Sequence, residues 1–187
     1  MTAVLADGVP AAVTLKDGKL VDVRLMTGED AASVRAFAAA LPEDDLLFLR
    51  MDITQASVVG AWVRQIELGN STTVLGHVEG ELAGFATVHR EPARWTRGVG
   101  ELRVNVGAAF RGRGLGRELT WLIFDVARSL GIRKVVAQMA TDQAAARQVF
   151  KHFGFEEDAV LRDWVEDRAG QLRDLVVMSY DLRWEFA

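Results

Sequence analysis

Apolar and polar positions alternate along AVTLKDGKLVDVRLM, broken only at Asp17-Gly18, which predicts two strands joined by a tight hairpin. The period then lengthens. In TGEDAASVRAFAAAL, Thr27 with an acid three residues later predicts a capped helix, and Pro42 ends it. LPEDDLLFLRMD is irregular, and a second helix is expected from about Thr54 to Leu68, closed by Gly69-Asn70. Period two returns in STTVLGHV and LAGFATVHR, a hairpin about Glu79-Gly80. After the polar turn EPARWTRG come the strand GELRVNV, a glycine-rich loop and the helix ELTWLIFDVARSL, which ends at Gly131. IRKVVAQM reads as a strand and TDQAAARQVFKHF as a helix stopped by Gly154; two last strands flank Ala169-Gly170. This order predicts a mixed α/β fold with one central sheet.

Composition narrows the class. Half of the 187 residues are apolar, enough for one domain with its own core. The formal net charge is -4 and no long block of like charge occurs, which argues against a general nucleic-acid binder. There is no cysteine, hence no disulfide framework and no thiolate nucleophile. His77, His89 and His152 are scattered without ligand-like spacing, so no metal is expected. The first residues lack a basic start and Asp7 interrupts them, and no apolar run reaches the roughly 20 residues a bilayer requires. A cytoplasmic protein without membrane partners is the expectation.

The chemistry concentrates in NVGAAFRGRGLGRELTWLIFDVAR, residues 105–128. A glycine loop entering a helix offers backbone N–H groups backed by the positive end of the helix dipole, a setting that suits phosphate. Gly112, Gly114 and Gly116 let the backbone come close to a ligand, and Arg111, Arg113 and Arg117 add positive charge. RGRGLGRE lacks the Lys-Ser/Thr of a P-loop, and arginine at 117 breaks the dinucleotide fingerprint.

RGRGLG after the strand ELRVNV resembles the acyl-CoA signature of the GCN5-related N-acetyltransferases, Arg/Gln-x-x-Gly-x-Gly/Ala, matched by Arg111, Gly114 and Gly116. KVVAQMATDQAAARQVFKHFGF resembles that family's next strand and helix with their closing Gly-Phe, and VDVRLMTGEDAASVRAF its opening strand and helix. The likeness spans about Val21 to Leu182, leaving residues 1–20 as an N-terminal strand and hairpin extension of a domain over 21–187. VRLMTGEDA and FLR are also similar to bacterial protein-lysine acetyltransferases of the same superfamily. The resemblance implies a mostly antiparallel central sheet with helices on both faces. It implies acetyl-CoA as cosubstrate, its pyrophosphate held by the backbone of Arg111, Gly112, Arg113, Gly114, Leu115, Gly116 and Arg117. Its pantetheine arm would lie between two splayed strands, ELRVNV and KVVAQM, on the backbone of Val104, Asn105 and Val106.

The implied reaction is attack of an amine on a thioester. An ammonium must first lose a proton. Glu101, on one strand face with Arg103 and Asn105, resembles the family's base; pairing with Arg103 alone is the competing role. The family's usual asparagine aligns with Gln143 and its tyrosine acid with Phe150, which has no proton to give. Phe150 also fits a packing role by its spacing from Ala146 and Phe153. Three readings therefore stand: an N-acetyltransferase acting on a primary amine in a ternary complex, a non-catalytic acyl-CoA-binding sensor, and a binder of another nucleotide or dinucleotide. Trp121, Ile123, Phe124 and Ala127 are expected on a buried helix face. Trp62, Trp95, Trp164 and Trp184 are assigned first to the core or to a subunit contact of a homodimer, with a substrate wall as the alternative. The acidic stretch Glu43, Asp44, Asp45 and Asp52 reads first as a solvated turn; bordering the substrate entrance, it would favour a cationic amine.

Overall fold

The alternating segments assemble into one eight-stranded sheet in the computed structural model, which describes residues 12–42, 45–46, 51–93, 95–167 and 170–183. The strands are β1 (Ala12–Thr14), β2 (Leu20–Leu25), β3 (Ser71–Val78), β4 (Glu81–Arg90), β5 (Val99–Val106), β6 (Lys134–Ala140), β7 (Glu156–Glu166) and β8 (Leu172–Asp181). Their spatial order is β1-β2-β3-β4-β5-β6-β8-β7, and every neighbouring pair is antiparallel except β5 with β6. The helices are α1 (Ala31–Ala39), α2 (Ala56–Glu67), α3 (Leu115–Ser129) and α4 (Ala144–His152).

Because side chains alternate across a strand, the sheet feeds two cores. On one face Val34, Phe37 and Ala38 of α1 and Val59 and Trp62 of α2 pack on Leu75, Leu82 and Phe85. On the other, Leu115, Leu119, Ile123, Phe124 and Ala127 of α3 cover Val21, Val74, Ala86 and Leu102. Each fully buried Val, Leu, Ile or Phe among them contributes about 1.5–3 kcal/mol of transfer free energy. Phe124 stacks on Tyr180 at 5.2 Å and continues an aromatic cluster with Trp121, Phe153 and Phe155.

Local signals acted as expected. Thr27 and Asp30 form a capping box: Thr27 Oγ1 accepts from the Glu29 amide at 3.3 Å, and Asp30 Oδ2 accepts from the Thr27 amide at 2.9 Å. One 3-10 turn, Gly28–Asp30, precedes α1. The β3–β4 turn has positive φ at both Glu79 (54°) and Gly80 (84°), the twist two-residue hairpins prefer. A bulge between Gly76 and His77 then moves the pairing by one residue.

Two tryptophans depart from the core assignment. Trp62 is buried, but Trp95 is 91% and Trp164 65% exposed. Trp95 lies in the turn after β4, and Trp164 on the outermost strand, where no second layer covers it. Trp184, Ala169, Glu43 and Asp44 lie outside the described residues. Among the described residues no helix is long and apolar enough to cross a membrane.

Candidate active site

The parallel pair at the sheet's centre sets the geometry. β5 and β6 share only three rungs, Val99 with Lys134, Gly100 with Val135 and Glu101 with Val136. β5 then runs on to Val106 and β6 to Ala140, each still paired on its far side, to β4 and β8. Beyond Glu101 the inner edge of β5 has no strand partner among the described residues. A cavity of about 420 Å³ opens there, lined by Leu102, Val104 and Asn105 from one strand and Ala137, Gln138 and Met139 from the other. Gln143 and Phe150 close one side and α2, through Trp62 and Gln65, the other.

Sheet register arranges β3, β4 and β5 in rows, from which Ser71, Phe85, Thr87, His89, Glu101, Arg103 and Asn105 line the cavity. Ser71, His89 and Glu101 face one another across β3, β4 and β5; Thr73, Thr87 and Arg103 form the next row, and Leu75, Phe85 and Asn105 the third. Ser71 Oγ and His89 Nδ1 are 2.8 Å apart, and the Thr73 and Thr87 hydroxyls 2.9 Å. Glu101 Oε1 accepts from Arg103 Nε at 3.2 Å and Nη2 at 3.1 Å. Glu101 is thus ion-paired and also lines the cavity.

The glycine loop lies at the C-terminal end of β5. Gly112 (φ 74°) and Gly114 (φ 95°) adopt left-handed conformations that a Cβ would strain. Gly114 is the N-cap of α3 and offers no side-chain acceptor, so the first-turn amides of Leu115, Gly116 and Arg117 lack the usual cap. Arg111 Nε donates to the Val106 carbonyl at 3.1 Å, and its guanidinium also pairs with Asp45; Arg113 pairs with Asp17 at 3.4 Å. Two of the three loop arginines therefore already have an acid partner.

Gln143 is the N-cap residue of α4, and its Oε1 accepts from the Ala140 amide at 3.0 Å. Phe150 does both things its spacing allows: it meets Phe155 edge-on at 4.9 Å and presents a face to the cavity. Tyr180 is buried in the aromatic cluster, away from the residues that line the cavity. Ser71, Thr87, His89 and Trp62 were not singled out as a group by sequence, because only register places them beside Glu101. Among the described residues no group of His, Asp and Glu is suited to hold a metal ion.

A splayed parallel pair, a glycine loop at a helix start and a carboxylate at the fork define an acyltransferase architecture. The profile of the Acetyltransferase (GNAT) family matches residues 42–155, and the chain belongs to that family. Its fold is similar to the GNAT domain of S. lividans PAT (TM-score 0.76, 22% identity, covering 91% of this chain and 96% of that one). It is also similar to Salmonella typhimurium yncA, solved with its cofactor acetyl-CoA (0.74, 23%, 89% and 96%). A third similar structure is ribosomal-protein-alanine N-acetyltransferase from Brucella melitensis (0.74, 24%, 85% and 98%). No curated protein sequence matches. The protein is an enzyme of the acyltransferase class.

Proposed function

We propose that the protein transfers an acetyl group from acetyl-CoA to a primary amine, of a small molecule or of a protein lysine or N-terminus, by direct attack in a ternary complex. The single observation that carries this reading is the unpartnered edge of β5, which runs from the glycine loop to the cavity at Glu101. Acetyl-CoA, present in the similar yncA structure, supplies an activated thioester when bound. The amides at residues 111–117 bind its pyrophosphate, and the backbone of Val104 to Val106 orients the arm. Gln143 and Phe150 wall the arm on the α4 side. Glu101, ion-paired with Arg103, takes the ammonium proton from the acceptor. Phe150 supplies no proton, and none is obligatory, because a thiol with a pKa of about 8.5 is a fair leaving group as thiolate. We assign the transfer to residues 21–187, with residues 1–20 as an extension.

The test couples two measurements on the full chain. Free-thiol release is followed with acetyl-CoA and an amine panel that includes protein lysines, for wild type and Glu101→Gln. Loss of a general base predicts a fall in kcat of about 100-fold or more, with coenzyme affinity, read by calorimetry, unchanged. Full turnover in Glu101→Gln removes Glu101 from the mechanism, and absence of calorimetric binding to the wild type removes acetyl-CoA itself.

A further inference from the structure

The hairpin at the chain's beginning packs on the glycine loop. The Lys16 amide donates to the Arg113 carbonyl at 3.2 Å, in the turn between β1 and β2. Asp17, next in that turn, holds the Arg113 guanidinium. The Lys16 stem lies along Gly114: a Cβ built on that glycine would stand 3.4 Å from Lys16 Cγ and 3.6 Å from Cε. Lys16 is exposed, and its ammonium has no acid partner among the described residues. The other lysine of the hairpin, Lys19, is held by Glu79 at 3.1 Å.

Charge at the loop is thereby redistributed. Arg111 is occupied by Asp45 and Arg113 by Asp17, so among the described residues the cations left without an acid there are Arg117, from the helix, and Lys16, from the hairpin. We infer that Lys16 is a phosphate-binding residue of the coenzyme site, and that the N-terminal hairpin is a working part of that site. This rests on the acetyl-CoA reading above. The ammonium is a flexible point charge suited to a phosphate oxygen without fixed geometry. The chemistry recognised is a phosphate group, and the coenzyme carries it in two places, the pyrophosphate and the ribose 3′-phosphate.

Calorimetry on the full chain at low ionic strength, where an exposed charge is least screened, tests this with CoA and 3′-dephospho-CoA. Lys16→Met keeps an apolar stem on Gly114 and removes only the charge. The expected result is CoA affinity about fivefold weaker, while Lys19→Met binds as wild type does. A weakening that persists with 3′-dephospho-CoA assigns Lys16 to the pyrophosphate, and one that vanishes assigns it to the 3′-phosphate. Wild-type affinity in Lys16→Met overturns the inference and leaves the coenzyme reading standing. Failure of wild type to bind CoA overturns both.

Discussion

Asp30 shows how much one side chain can carry. It is 5% exposed, closes the capping box of the 3-10 turn that leads into α1 and receives the Arg24 guanidinium, with Nη1 2.7 Å from Oδ2. The Arg24 hydrogen bond holds its carboxyl below the usual carboxylate range, against the opposing effect of burial. A carboxyl depressed in the fold stabilises above its unfolded pKa, and the contribution disappears as pH falls through the folded value. Asp30→Asn is expected to lower stability by about 2 kcal/mol at neutral pH, read by urea melts, with the deficit shrinking below about pH 4; a deficit constant with pH would contradict the ion-pair origin. Legibility at this scale was uneven. Glu101 and the loop glycines could be found because their chemistry is local. His89 looked isolated because register alone gives it neighbours: the β4–β5 pairing sets it opposite Glu101, and the Gly76/His77 bulge sets it opposite Ser71, where counting from the Glu79-Gly80 turn without the bulge would put Val88.

Among the elements, β5 is the most constrained. Gly84 of β4 pairs with Val106, and a Cβ on it would sit 2.7 Å from the Asn105 carbonyl oxygen and 3.2 Å from Leu119 Cδ1. Neither the strand backbone nor the helix behind it can yield cheaply. Gly84→Ala should therefore cost about 1–3 kcal/mol by overpacking and should displace the β5 segment proposed to hold the pantetheine arm. Thermal melts measure the first effect and CoA calorimetry the second; a variant as stable as wild type would show that the strands are looser than drawn. Element order was readable because caps, turns and periodicity are local signals. The fork between β5 and β6 was foreseen only through the family resemblance, since the alternation of GELRVNV is the same whether its neighbour stays or departs.

For the molecule as a whole, the fork is a gap in an otherwise continuous sheet, and an occupant that binds the native state alone stabilises it. At a CoA concentration 100 times Kd the gain is about 2.7 kcal/mol, which should raise Tm and slow amide exchange in residues 104–106 and 111–117. Exchange that slows elsewhere but not in these segments would relocate the coenzyme. The sheet's far border has a different character. β7 is exposed over nearly its whole length, carries Glu156, Glu157, Asp158, Arg162, Asp163 and Glu166, and slips register against β8 twice, with φ 48° at Asp163. A rim this crooked and this charged gives a ninth strand nothing straight to zip onto. Any second copy that settles against Val160 and Trp164 must therefore do so side chain to side chain, and overproduction of the protein should not seed endless ribbons from that margin.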